Sequence, residues 1–303
     1  MRILSERQPI VAELLAKSTE EQRRLGYFHT LREICQQPST WIHTCALMRG
    51  QAARLQSIMD GIASLTLTGS GSSEYAGDCV RLPLQNELGV VTQAIGGGAL
   101  LAHGSRTLPP GRPGLMVSIA RSGDSRESGG ALAFMLKTQP DIRHLVLTCN
   151  ETGSLARSYQ NDSRVLVITL DEETNDQGLV MTSSFTNLVL AARSLGLAGE
   201  PAVYESICGQ LSRVASAINS WASWQTCGGR ESAVQARRVP GLWIAFWGGP
   251  RSRTQDAGDD GGPGDYHVRN LPGLAARPHE LRPWRHAGGV LPVFRAQVAG
   301  VRS

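Results

Sequence analysis

Ser64-Leu65-Thr66-Leu67-Thr68-Gly69-Ser70-Gly71-Ser72-Ser73 is the stretch that decides how the chain folds. A short run of leucine and β-branched threonine reads as a strand, and the glycine-serine loop after it leads into a helical pattern from Glu74 to Leu84. The same unit recurs downstream. After Gly61, short runs at Gly89–Ile95, Leu115–Ile119, His144–Thr148 and Val165–Leu170 alternate with helical patterns. Strands that alternate with helices predict a parallel sheet covered on both faces, an α/β fold. Such sheets bind ligands outside the carboxyl ends of their strands, which directs attention to the loops after Thr68, Ile119, Thr148 and Leu170.

The residues before Gly61 read as helical. Ile10, Val11, Leu14 and Leu15 stand at helical spacing within residues 6–26, and Thr30-Leu31-Arg32-Glu33 has the capping-box pattern. Pro38-Ser39-Thr40 is expected to end that helix and start another, from about Trp41 to Asp60. The domain organisation expected is therefore a helical segment over 1–60, an α/β domain over 61–223, and a tail over 224–303.

The chain has 303 residues, enough for one large domain or two small ones. Hydrophobic residues make up 41% and charged residues 18%, which argues against disorder of the whole chain. No apolar run reaches the roughly eighteen residues of a membrane span, and Met1-Arg2-Ile3-Leu4-Ser5-Glu6 turns polar at once, so a soluble cytoplasmic protein without a membrane partner is expected. Cysteines 35, 45, 79, 149, 208 and 227 are scattered with no Cys-x-x-Cys pair, which predicts buried thiols rather than a zinc site or a disulfide framework. The net charge is +4, and Pro240–Ser303 carries eight Arg against four Asp and one Glu, so three of the four surplus charges lie there. The nearly neutral body has no electrostatic footprint for nucleic acid.

Three loops carry the chemistry. Gly69–Ser73 can turn sharply at glycine and offer hydroxyl and N–H donors to an anion at a helix start. It is neither a P-loop, which ends in Gly-Lys-Ser/Thr, nor a dinucleotide fingerprint, because Glu74 occupies the third glycine position. NAD is disfavoured. The second loop, Ser118–Ser128, places Arg121 beside hydroxyls at Ser122 and Ser125, which can surround a phosphate or simply cap a helix. In the third, Gly178 precedes Thr182, Ser183 and Ser184 at the head of an apolar helix. No metal site and no Gly-x-Ser-x-Gly elbow are present in the sequence, so neither a metal nor an organic cofactor is implied.

With these loops read, the chain from about Thr30 to Trp221 resembles the sugar isomerase (SIS) domain family, in its AgaS group. The blocks that carry the resemblance are Gly69–Ser73 with Gly77-Asp78, Ser118–Ser128, Leu147-Thr148-Cys149-Asn150-Glu151 with Gly153, and Gly178 with Met181–Ser184. The resemblance implies two SIS lobes, each a five-stranded parallel sheet flanked by helices, with 61–223 as the first. It implies a homo-oligomer in the full-length family. Ser73, Ser122 and Ser125 match its phosphate-holding hydroxyls, with Ser72 and Arg121 beside them. Ala120 departs from the serine that many such domains carry. Thr182, Ser183 and Ser184 match the segment that lines the sugar.

The second lobe should begin near residue 225, yet the strand–helix alternation stops there. Pro240–Ser303 holds seven of the 15 prolines and eleven of the 34 glycines, and 28 of the chain's 30 basic residues are Arg. That bias marks GC-rich coding DNA. Taking the last two bases of each codon with the first of the next, Gly249–Gly262 can encode A-R-E-A-A-L-K-M-L-E-M-T-A-G and Ala275–Leu281 can encode R-H-G-P-M-S-F. Both strings resemble hallmarks of the AgaS second lobe, which predicts a one-base frame change upstream of Pro240, as early as Trp224, and loss of that lobe.

The function implied by the resemblance is phosphosugar isomerisation or deamination, on tagatose 6-phosphate or galactosamine 6-phosphate, by enediol or imine chemistry. Its acid and base, the glutamate of the R-E-x-A-L-K helix and the histidine of the R-H-G-P loop, do not occur in this chain as translated. His279 and Glu280 stand nearby in the wrong frame and are not assigned. The catalytic residues stay unassigned, and the alternative is a non-catalytic SIS module that binds a sugar phosphate.

Overall fold

The computed structural model describes residues 9–109, 113–220, 284–286 and 289–291. Two short helices lead in, α1 (Pro9–Ala16) and α2 (Thr19–Arg24). Ser18 Oγ accepts the Glu21 N–H and so caps α2. The helix that follows, α3, runs without a break from Phe28 to Gly50 and carries Pro38 inside it.

This corrects the expected break at Pro38-Ser39-Thr40. A proline inside a helix frees the carbonyl four residues back, and here Gln37 Nε2 donates to that carbonyl, Ile34 O, at 3.4 Å. Ser39 and Thr40 do not cap a new helix; their hydroxyls donate to Gln36 O and Gln37 O of the preceding turn. The chain turns instead at Gln51, before α4 (Ala52–Met59). The capping box at Thr30–Glu33 is a second correction, since the helix already starts at Phe28 and the Glu33 side chain is used elsewhere.

The five strands are β1 (Ser64–Gly69), β2 (Val91–Gly96), β3 (Gly114–Ala120), β4 (Arg143–Thr148) and β5 (Val165–Thr169). Each lies within a residue or two of its expected run. They pair in parallel in the order β2-β1-β3-β4-β5. The helices between them are α5 (Ser72–Leu88), α6 (Gly97–His103), α7 (Arg126–Thr138) and α8 (Ser154–Tyr159), and α9 (Ser183–Arg193) and α10 (Pro201–Ser220) follow β5.

Alternation of side chains along each strand divides the core in two. Leu65, Leu67, Leu115, Val117, Ile119, Leu145 and Leu147 pack with Val80 and Leu84 of α5, Leu188 of α9 and Met48 of α3. Met116, Ala120 and Val146 face the other way, onto Leu100 of α6, Leu132 and Met135 of α7 and Leu155 of α8. Full burial of each large aliphatic side chain is worth about 1.5–3 kcal/mol, so a sheet covered on both faces is the state these strands select.

Helix α3 crosses α9 and α10 through polar as well as apolar contacts. Thr44 Oγ1 donates to Asn187 Oδ1 at 2.7 Å, Asn187 Nδ2 donates to Thr40 Oγ1 at 2.8 Å, and the Tyr204 hydroxyl donates to Cys45 O at 2.8 Å. In the tail, 284–286 pairs antiparallel with 289–291. The rest of 224–303, where the expected frame change falls, lies outside the described residues.

Candidate functional site

The strand order reverses direction between β1 and β3, because the chain leaves β1 for β2 on one side and returns to β3 on the other. A crevice opens at such a point outside the carboxyl ends of the two strands. The loops that flank it are Gly69–Ser73 and Arg121–Ser125, the first two singled out in the sequence.

The first loop depends on its glycines. A Cβ on Gly69 would stand 2.6 Å from the Ser73 carbonyl carbon, and Gly71 turns at φ 58° to start α5. Ser72 and Ser73 therefore open α5, with Ser73 buried and Ser72 half-buried. Their place at the start of a 17-residue helix favours a negative group by the helix dipole.

The second loop is held from β4. Asn150 Nδ2 donates to Ser122 O at 3.0 Å, and Asp124 Oδ1 accepts both the N–H and the hydroxyl of Ser154 at 2.8 Å. Those bonds from Ser154 hold the Asp124 carboxyl below the usual carboxylate range. Gly153 lies so close that a Cβ there would stand 2.1 Å from Ser122 O. Within the loop, Ser122 Oγ accepts the Asp124 N–H at 3.3 Å. Ser125 Oγ accepts the Ser128 N–H at 3.1 Å and donates to Ser128 Oγ at 2.8 Å, which makes it the N-cap of α7. To donate to an anion the Ser125 hydroxyl has to give up its bond to Ser128 Oγ, while its acceptance of the Ser128 N–H can remain.

Arg121 leaves this loop toward the third. Its Nη1 donates to Gly178 O at 3.0 Å. The 176–184 segment is fastened at both ends by buried carboxylates: Glu33 Oε1 accepts the N–H groups of Gln177 (2.6 Å) and Gly178 (2.8 Å). Asp176 Oδ2 accepts the N–H groups of Thr182 and Ser184 and the Ser184 hydroxyl at 2.7–2.9 Å. Between the two fastenings Leu179 is 95% exposed.

The three residues at the head of α9 differ in what they present. Ser183 and Ser184 are fully buried. Ser183 Oγ lies 3.3 Å from Thr40 Oγ1, and Ser184 Oγ is bound to Asp176, so both hydroxyls are turned into the protein. Thr182 is half-buried, and its Oγ1 has no hydrogen-bond partner. Ser72, Ser73, Arg121, Ser122 and Ser125 thus stand on the two loops that follow the adjacent strands β1 and β3, and Thr182 is linked to them through the segment that Arg121 touches.

Sequence reasoning missed Glu33, Asp176 and the Thr68 hydroxyl, and named the loops of Ser70 and Ser118 without singling out those two side chains. Thr68 Oγ1 and Ser118 Oγ, partners in register on β1 and β3, and Ser70 Oγ are buried without a hydrogen-bond partner beneath the crevice. Buried polar groups without a partner are uncommon, and these three lie at or just beyond the carboxyl ends of β1 and β3. Glu74, the residue that breaks the dinucleotide fingerprint, lies against the end of β2: a Cβ on Gly96 would stand 2.7 Å from its Oε2. Cys149, below the Arg121 loop, has its thiol pushed up to about 12 by burial, so it is an inert core thiol.

Comparison with known proteins agrees with this architecture. No family model matches the chain. The chain is 38% identical over 169 residues to AgaS of Streptomyces coelicolor, covering 54% of this chain and 44% of that one. It is 35% identical over 184 residues to the D-galactosamine-6-phosphate deaminase AgaS of Shewanella sp. strain ANA-3, covering 58% and 48%. The crystal structure of tagatose-6-phosphate ketose/aldose isomerase from Escherichia coli superposes with a TM-score of 0.56 at 25% identity, covering 63% of this chain and 54% of that one. A five-stranded parallel sheet in this order, with serine-bearing loops at its switch point, has the fold of the sugar isomerase domain seen in these neighbours. Within that class the relatives it matches in sequence are AgaS proteins, to which the chain is similar over somewhat more than half of its own length. It spans about half the length of the curated relatives it matches.

Proposed function

We propose that this chain holds a hexose 6-phosphate, tagatose 6-phosphate or galactosamine 6-phosphate, in the crevice between β1 and β3. The observation that carries the reading is the pair of serine loops on either side of the switch point, each opening a helix, with Arg121 between them and the third loop. Hydroxyl and backbone donors at the starts of α5 and α7 suit a phosphate dianion, and the Arg121 guanidinium adds a charge-assisted donor. Thr182 and the backbone of the 176–182 segment form the wall on the sugar side, while Ser183 and Ser184 support that wall from inside the protein.

Isomerisation or deamination needs a proton donor and acceptor within hydrogen-bond reach of C1 and C2. Of the carboxylates by the loops, Asp124 is used on Ser154 and Glu33 and Asp176 on backbone N–H groups, while Glu74 lies against Gly96 of β2 and Glu127 is exposed on α7. The chain as translated therefore binds the sugar phosphate and turns it over poorly, and the reaction belongs to a form whose reading frame continues into the second lobe. Calorimetric titration of the 303-residue chain with both 6-phosphates and with tagatose and galactosamine themselves tests the binding. Saturable binding of the phosphorylated sugars alone is expected; equal response to the free sugars, or none to either, overturns the reading. Sequencing the coding DNA from codon 220 onward tests the frame: absence of the R-E-A-A-L-K and R-H-G-P strings in the next frame removes the second-lobe argument.

A further inference from the structure

Helix α3 carries one side chain that reaches across the fold to the candidate site. Glu33 is nearly fully buried at 6% exposure, and its Oε1 accepts two successive backbone N–H groups of the 176–184 segment, those of Gln177 and Gly178. The carbonyl of the same Gly178 accepts from Arg121 Nη1. One residue of the segment is thus gripped on its N–H by α3 and on its C=O by the loop after β3. The fit leaves no slack: a Cβ on Gly178 would stand 2.6 Å from Glu33 Oε2 and 3.0 Å from Thr30 Oγ1.

We infer that Glu33 is the positioning residue of the site, holding Arg121 in place through the peptide groups of Gln177 and Gly178. The inference rests on the phosphosugar reading above, and it assigns to α3 a part in ligand binding that no loop motif reveals. A guanidinium on a flexible side chain loses rotamer freedom when it meets an anion, and a bond that already fixes one of its N–H groups removes part of that cost. The bond to Gly178 O uses Nη1 and leaves further donors on the same planar group for phosphate oxygens. If Glu33 is lost, the two N–H groups have no acceptor, the segment relaxes, and the carbonyl that anchors Arg121 moves with it. Glu33 does not touch the ligand; it acts through the loop.

Glutamine and alanine separate this role from a merely structural one. Both hydrogen bonds end on Oε1 alone, so Glu33→Gln retains the acceptor while Glu33→Ala removes it. Measured by calorimetry on the 303-residue chain with tagatose 6-phosphate and galactosamine 6-phosphate, Glu33→Ala is expected to weaken binding at least tenfold and Glu33→Gln less than threefold. Arg121→Ala is expected to match Glu33→Ala, and the double variant to be little worse than either alone, because both remove the same anchored guanidinium. Gly178→Ala, which pushes the loop off Glu33 from the other side, gives the same loss by an independent route if Glu33→Ala does not fold. Binding by Glu33→Ala within twofold of wild type, or full additivity with Arg121→Ala, overturns the inference while leaving the phosphosugar reading intact. A wild-type chain that binds neither 6-phosphate overturns that reading, and the inference with it.

Discussion

The loop after β3 and the segment before α9 meet at one hydrogen bond, between Arg121 and Gly178, yet they are built on opposite principles. The Arg121–Ser125 loop is fastened to the chain after β4 by short polar side chains, Asp124 on Ser154 at the surface and Asn150 on Ser122 half-buried. The 176–184 segment is fastened by two carboxylates withdrawn from water, one of them Glu33, 144 residues away along the chain. A hydrogen bond at the surface replaces one to water and adds little. A carboxylate buried with its donors is costly to disturb, because removing it strands N–H groups that water cannot reach. The first loop can therefore tolerate changes that the second cannot.

The largest effect is expected at the buried end. Asp176→Ala leaves the N–H groups of Thr182 and Ser184 and the Ser184 hydroxyl without their acceptor and should cost about 4 kcal/mol, read from urea unfolding midpoints. A loss below about 1 kcal/mol would mean that the segment is not held as described.

Acid sharpens the comparison on the β4 side. His144 is fully buried with both ring nitrogens unpartnered, and burial, with Arg164 nearby, lowers its pKa to about 4, outweighing the opposing pull of Asp162. The unfolded chain takes up this proton near pH 6.5 and the folded chain only near pH 4. Stability therefore falls as pH drops from 6.5 to 4, by about 3 kcal/mol in all, and the decline levels off below that window. His144→Leu should flatten this part of the profile in pH-dependent melting. An unchanged slope would assign it to other groups.

Gly153→Ala tests the surface loop where its backbone is tightest. The added carbon meets Ser122 O, a backbone atom, and about 2 kcal/mol of destabilisation is expected in thermal unfolding, with a shift in the Ser122 loop. The smallest effect belongs to Asp124→Ala, which removes two exposed hydrogen bonds and should cost about 1 kcal/mol. If Asp124→Ala costs as much as Asp176→Ala, the contrast between the two fastenings is broken.

Much of the fold could be read from local pattern. Leu65 and Leu67, Leu115 and Val117, and Leu145 and Leu147 each alternate with residues that face the opposite layer, and their spacing in strands shows without any partner. The serine loops were legible for the same reason: a glycine-serine run after a strand and before a helix is a local signal. Pro38 misled because its cost to a helix is local while its remedy is not obvious; the Gln37 side chain and the packing of α3 on α9 and α10 carry the helix through. Glu33 misled in a similar way, since Thr-x-x-Glu spells a cap only when the helix starts there. Ser183 and Ser184 look like donors at a helix start, but which way a hydroxyl points at that start depends on what packs above it, here Thr40 and Asp176.

The sequence by itself determined the alternation of strands and helices, the glycines that turn the loops, and the serines and arginine placed at strand ends, because each follows from residue chemistry within a few neighbours. Only the tertiary structure decided the strand order that sets β1 beside β3, the partner of Glu33, the anchoring of Arg121 on Gly178, and the burial of His144 and Asp176. Those depend on contacts between residues distant along the chain, whose energies come from desolvation and from close packing that no local spacing encodes.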